Sequence, residues 1–290
     1  MPKTSQGYKP NIARRILRTL ARLLLRLFRI DGQSLWGNVV VQQFQPIIKI
    51  CNPFDSNQEL EFFAGHERLY WRVIETSKLD YLYKNFLENL DSKSVLYDIG
   101  ANIGMTCIAP AQYFGCTVIA FEPEPLNFAN LHKNVMQNNL EDKIFYFPFA
   151  LNEKNVLEDF FIKSVTPGDA LHSIKFPSAQ IAEQNVSSVK SYKVFTLSLD
   201  HLNKIYRLPN PSHVKIDVDG CELSVLKGMT NILRSQATNK VFIEVNINQK
   251  QGDFLKISQF LLSFGFRLMK ISDPENDYSR EIRNCLFSRG

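Results

Sequence analysis

Asp98, Gly100 and Gly104 stand close together in Val95-Leu-Tyr-Asp-Ile-Gly-Ala-Asn-Ile-Gly104, and Glu122 follows in Phe121-Glu-Pro123. An apolar run enters a glycine turn. A second apolar run, Thr117 to Phe121, ends in a carboxylate. This is the pattern of a βαβ unit that holds a nucleoside. The glycine turn lets the backbone approach the ligand, and the acid at the second strand end accepts both ribose hydroxyls. The bland alternative is an ordinary tight strand-to-helix turn.

A second acid-rich turn is Lys215-Ile-Asp-Val-Asp-Gly-Cys-Glu222. Its carboxylates follow an apolar strand, at the sheet edge that borders the ligand crevice in open α/β folds. Asp217 ends that strand and is expected to face the reactive end of the cofactor, orienting an acceptor hydroxyl or taking its proton. Asp219 is a second catalytic candidate. With Glu222 three residues on, it also reads as a capping box, worth about 1 kcal/mol without any catalysis. Oxygen ligands at Asp217 and Asp219 would suit Mg²⁺ or Ca²⁺, but no metal site is assigned. His172 and His213 titrate near neutrality and are general-base candidates. His213 opens a buried strand and reads as structural, so His172 is preferred.

The turn separates the possible cofactors. A dinucleotide fingerprint is G-x-G-x-x-G, with pyrophosphate on a helix N-terminus. Here the spacing is Asp98-x-Gly100-x-x-x-Gly104. Asp98 would repel a phosphate and attract an ammonium. S-adenosyl-L-methionine carries a sulfonium, an amino-acid moiety and a ribose, and it fits Asp98 and Glu122 better than NAD does. An NAD-dependent oxidoreductase and a membrane-docked, non-enzymatic nucleoside-binding protein are the alternative classes.

Around these residues the chain alternates strand and helix. Strands are expected at Val95–Ile99, Thr117–Phe121, Lys143–Phe149, His213–Asp217 and Val241–Asn246. Helices are expected at Ile103–Phe114 (kinked at Pro110), Pro125–Gln137, Cys221–Leu233 and Asp253–Phe264. Phe266–Ile271 and Asn284–Ser288 form a late pair with an antiparallel last strand. The fold class is α/β, a doubly wound, mainly parallel sheet. The gap between the third and fourth core strands exceeds a normal crossover. Val156–Lys163 and Tyr192–Leu197 read as strands within it, and 151–212 is expected to cap the crevice and bind the acceptor. Val39–Ile50 reads as a hairpin bending near Pro46, and Arg68–Leu90 as one or two helices.

The net charge of +5 is local. Residues 1–30 carry +8 and no acid, which leaves −3 for the rest. A general nucleic-acid-binding surface is therefore excluded. In Asn11–Ile30 six arginines fall in one arc of about 120°, opposite a leucine-rich face, with Leu25 the exception. Arginine recurs too often for a transmembrane span or a signal-peptide core. The helix is expected to lie on an anionic membrane surface, to pack on its own domain or a dimer partner, or to be a targeting peptide. The five cysteines are scattered, which argues against zinc or a disulfide framework and suits a reducing compartment. The organisation read from this is a basic helix at 1–30, an entry region at 31–94 and a catalytic domain at 95–290. The expected location is cytoplasmic, peripheral on the inner membrane face if the helix docks there. The oligomeric state stays open.

The chain resembles the FkbM-type methyltransferase family. The matching residues are Asp98–Gly104, Phe121–Pro123, Ala150-Leu151, Thr196–Asp200, Lys215–Glu222 and Phe242–Val245. Asp219 stands where the family more often has glutamate. The resemblance implies a class I methyltransferase Rossmann-like fold and methylation from S-adenosyl-L-methionine, usually of a hydroxyl on a sugar, lipid-linked glycan or secondary metabolite. The implied cofactor-binding set is Asp98 toward the ammonium, Gly100, Asn102 and Gly104 along the turn, Glu122 on the ribose, and Ala150. The partner is a small-molecule or saccharide acceptor.

Overall fold

Strand pairing begins with a hairpin, β1 (Ile47–Asn52) against β2 (Asp55–Phe63). The computed structural model describes residues 47–76, 80–170, 172–174, 190–247, 253–273 and 281–289. This hairpin turns at Pro53-Phe54, and the bend expected near Pro46 lies outside the described residues. Proline there has no ladder bond to donate. Residues 39–46 and the basic segment 11–30 lie outside the described residues. The free edge of β2 is covered: the Glu61 and Phe63 N–H groups donate to the side chains of Asn138 and Asn134 at 2.9 and 2.8 Å. Two helices follow, α1 (Glu67–Thr76) and α2 (Tyr81–Phe86), the latter capped by Asp80.

The core then runs β3 (Val95–Ile99), α3 (Met105–Phe114), β4 (Thr117–Phe121), α4 (Pro125–Gln137) and β5 (Ile144–Phe147). An insertion contributes β6 (Ala150–Leu151), β7 (Val156–Ile162), β8 (Lys190–Leu197) and α5 (Leu199–Tyr206). The chain returns through β9 (His213–Ile216), α6 (Glu222–Lys227), α7 (Thr230–Arg234), β10 (Lys240–Asn246), α8 (Phe254–Ser263), β11 (Arg267–Ile271) and β12 (Ile282–Ser288). The main sheet has the order β11-β12-β10-β9-β3-β4-β5. Its strands pair in parallel except β12, which is antiparallel to both neighbours. This is the class I Rossmann-like arrangement. The insertion forms its own sheet, β6-β8-β7.

Alternation along each strand divides the core. Leu96, Val118 and Ala120 face one layer, with Phe86, Ile108 and Leu131. Tyr97, Ile119, Ile216 and Ile243 face the other, with Leu226, Ile232 and Ile257. Each such fully buried side chain contributes about 1.5–3 kcal/mol of transfer free energy, which is why these strands read as continuous apolar runs.

Two expected helices differ in detail. Pro110 does not end α3. It leaves the Thr106 carbonyl without its helical donor, and the Tyr83 hydroxyl donates to that carbonyl at 2.6 Å. The helix expected over Cys221–Leu233 is two, α6 and α7. At Gly228, between them, a Cβ would meet the Asn152 carbonyl oxygen at 2.2 Å. The new start at α7 takes its caps from Asp200, which accepts from the Thr230 hydroxyl and the Asn231 N–H. Among the described residues, no helix is long and apolar enough to cross a membrane.

Candidate active site

The sheet order reverses between β3 and β9, since β3 continues outward to β4 while β9 lies on its other side. Beyond the carboxyl ends of these strands is a cavity of about 450 Å³, within the usual range for small-molecule sites. Gly100, Asn102, Glu122, Ala150, His172, Asp217 and Asp219 all line it. Asp98 and Gly104, also expected at the cofactor, do not.

Asp98 is fully buried. It is a register partner of Lys215, whose ammonium lies 3.0 Å from its carboxylate, and the Thr106 hydroxyl donates to its other oxygen at 2.7 Å. A charge at that depth requires its own counter-ion, and Lys215 is it. Burial opposes the Lys215 charge, but Asp98 and Asp217 more than offset that and hold its pKa above the ordinary lysine value. Gly104 opens α3 at φ 91°, where a Cβ would also press on Leu131 and Ile108. Gly100 has φ 81°, and a Cβ on it would lie 1.8 Å from the Asp217 carbonyl oxygen. It permits β3 and β9 to end side by side.

Glu122 ends β4. One oxygen accepts the Asn102 N–H at 2.7 Å and the other the Glu124 N–H at 2.8 Å. Burial lifts its pKa to about 7, against the lowering effect of those two bonds. Each carboxylate oxygen keeps a lone pair for a further donor, so the group fits a pair of ribose hydroxyls. Beside it, Phe149 lines the cavity and stacks in a row with Phe147 and Phe121, giving a flat apolar surface for a purine. Sequence reasoning misses Phe149; its place just past a strand end is the available signal.

At the other end of the cavity Asp217 follows β9, its side chain 42% exposed and 3.5 Å from Lys215. Asp219 adopts φ 55° and Gly220 φ 98°. Cys221 is the N-cap residue of α6, and Glu222 reaches back to the Gly220 N–H at 2.8 Å. Glu244, on β10, lines the same end. Its pKa is well above the carboxylate range, through burial first and then the charges of Asp217, Asp219 and Glu222. In the sequence, Glu244 stands out only within the family match. Its position one residue past Ile243, the register partner of Ile216, brings it beside the Asp217 turn. Among the described residues, no three His, Cys, Asp or Glu side chains converge to hold a metal.

His172 is buried in the insertion, and its Nδ1 accepts the Lys163 N–H at 3.3 Å. Burial pushes its pKa down, as do Lys163 and Arg72, against Asp169. A neutral ring with an accepting Nδ1 carries its proton on Nε2. That nitrogen is then a donor. His213 lies away from the cavity, edge-on to Phe86.

The insertion is clamped over the glycine turn. The Asp169 carbonyl accepts from the Asn102 and Asn127 side-chain amides at 3.0 and 3.2 Å. The Gly168 N–H donates to Asn127 at 2.7 Å, and Arg72 of α1 donates to the Gly168 carbonyl at 3.1 Å.

Comparison with known proteins agrees with this geometry. Residues 98–268 match the methyltransferase FkbM domain. A hexuronic acid methyltransferase of Haloferax volcanii is 31% identical over 64% of this chain and 70% of its own length. Methyltransferase 1 of Beauveria bassiana is 26% identical over 60% of this chain and 72% of its own. The 31-O-demethyl-FK506 methyltransferase of Streptomyces tacrolimicus is 35% identical over 28% of this chain and 30% of its own. These relationships set aside the oxidoreductase alternative. The chain belongs to the FkbM methyltransferase family, and S-adenosyl-L-methionine is its methyl donor.

Proposed function

We propose that this methyltransferase acts on a hydroxyl oxygen of a saccharide. The observation that carries the reading is the placement of Asp217, a carboxylate at the carboxyl end of β9, partly exposed to the cavity and held by Lys215. A hydroxyl must lose its proton during or after transfer, and a carboxylate within reach can take it. The hexuronic acid methyltransferase relative supports a sugar acceptor.

The cofactor supplies an electrophilic methyl group on a sulfonium. The residues present suit it: Glu122 for the ribose, Phe149 for the purine, and the carboxylates Asp217 and Asp219 for a cationic centre. Asp217 receives the acceptor proton. Glu244, holding its own proton beyond the ordinary carboxylate range, donates a hydrogen bond. The clamped loop at Gly168 and Asp169 keeps water from the methyl donor.

The test incubates the full chain with S-adenosyl-L-methionine labelled in its methyl group and a panel of neutral and acidic saccharides. The expected product is a methyl ether that survives mild alkali. Label released by mild alkali would point to a carboxyl acceptor, and no labelled saccharide would remove the sugar assignment.

The basic pattern of 11–30 carries a separate proposal, that the enzyme works at an anionic membrane surface. The full chain is expected to float with anionic vesicles, less so in high salt. Equal flotation after deletion of residues 1–30 would remove that role.

A further inference from the structure

The cavity is electrically lopsided. Past β9 it presents Asp217 and Asp219, whereas α1 and the insertion present Arg68, Arg72 and Lys163. The acid among these cations is Asp169. One of its oxygens lies 3.7 Å from Arg68 and accepts the Ala170 N–H, and the other accepts the Ser164 hydroxyl at 2.6 Å. Arg68 and Lys163 against the one carboxylate of Asp169 leave this wall with a net positive charge. The Lys163 ammonium makes no ion pair among the described residues.

His172 adds an independent sign. It lines the same cavity with 8% of its surface exposed, and its protonated Nε2 is buried with no hydrogen-bond partner. A buried donor left unpaired is unfavourable, and a wall of net positive charge attracts an anion into the cleft. Arginine forks match planar or tetrahedral oxyanions, and lysine adds a point charge.

We propose that Arg68, Lys163 and His172 form an oxyanion subsite that selects an acidic saccharide, binding its carboxylate or phosphate while its hydroxyl meets Asp217. The inference rests on the cavity being the saccharide acceptor site. It adds that the acceptor is charged, and where that charge is read.

The test uses the full chain saturated with S-adenosylhomocysteine, and a double variant, Arg68→Gln with Lys163→Gln, whose folding is checked by thermal melting. Calorimetry compares p-nitrophenyl β-D-glucuronide, glucose 6-phosphate, p-nitrophenyl β-D-glucoside and p-nitrobenzoate. The glucuronide or the phosphate is expected to bind at least about tenfold more tightly than the glucoside, a margin the variant erases. The preferred anion identifies which oxyanion is read. Equal binding of charged and neutral sugars overturns the subsite and leaves the saccharide reading standing. Binding of p-nitrobenzoate alone, lost in the variant, keeps the subsite and rejects the sugar. No binding of any ligand at millimolar concentration overturns the inference. So does a variant that loses S-adenosylhomocysteine affinity tenfold, because the wall would then serve the cofactor carboxylate. If the double variant fails to fold, Lys163→Gln alone, at a side chain free of ion pairs, answers the same question.

Discussion

Lys215 on β9 places its ammonium 3.0 Å from Asp98, its register partner on β3, where both side chains are almost wholly removed from solvent. The same ammonium donates to the Gly100 carbonyl at 3.0 Å and stands 3.5 Å from Asp217. One buried cation thus ties the glycine turn to the acid of the active site. Removing it strands a buried carboxylate, which costs about 3–5 kcal/mol. Lys215→Met is expected to lower the free energy of urea unfolding by that amount. Asp98→Asn added to it should restore more than half. An unaltered unfolding midpoint in Lys215→Met would show that the pair carries no net stability.

Glu122 makes stability depend on pH in an uncommon direction. Its carboxyl titrates at about 7 in the fold, against an ordinary 4.5. Between those values the folded chain holds a proton that the unfolded chain has released. Stability therefore falls as pH rises through this window, by an amount of order 3 kcal/mol above pH 7. Thermal melting of the ligand-free protein from pH 4.5 to 8 should show this fall, and Glu122→Gln should flatten it. Parallel curves for the two proteins would remove the buried carboxyl as its source.

Much of this fold is legible in the sequence because the core strands are buried on both faces and write themselves as apolar runs. Val95–Ile99 and Thr117–Phe121 have the same bounds in the structure. The acids at strand ends are legible for a similar reason, since a carboxylate that closes an apolar run contributes nothing to hydrophobic packing. What local spacing does not encode is the partner across the sheet. Asp98 reads as a ligand residue because nothing in its own segment announces Lys215, over a hundred residues away. Gly100 reads as a ligand turn, and the Asp217 carbonyl it accommodates is equally distant in sequence. Glu244 and Phe149 escape assignment because each gains its meaning only from a neighbouring strand. The Lys163 N–H that donates to His172 is likewise not announced by local spacing.

Tyr83 and Pro110 form a compensated defect. The proline deprives the Thr106 carbonyl of a helical donor, and the tyrosine hydroxyl replaces it at 2.6 Å. Tyr83→Phe deletes one oxygen and leaves that carbonyl unpaired, which costs about 1–3 kcal/mol. Urea unfolding should show the loss. Pro110→Ala in the Tyr83→Phe background should recover part of it, because alanine restores the helical N–H. If the double variant is no more stable than Tyr83→Phe alone, the two residues are not coupled.

Asp217 separates proton transfer from binding. Asparagine keeps its size and leaves the Lys215–Asp98 pair in place, but it cannot accept the hydroxyl proton. A positioned base contributes typically 10²- to 10⁴-fold, so Asp217→Asn is expected to lower kcat at least about 100-fold on the acceptor identified by methyl labelling. S-adenosylhomocysteine should bind within about threefold of the parent, since Glu122 and Phe149 hold the nucleoside end. A residue that merely orients the acceptor would behave differently: asparagine would still hydrogen-bond, KM would rise and kcat would stay within tenfold. Raising the pH discriminates further, because solvent hydroxide takes over part of the missing base's work and the variant's rate should climb with pH where the parent's is flat. A variant with parental kcat and a parental pH profile would remove Asp217 from the chemistry and shift the search to its neighbours Asp219 and Glu244.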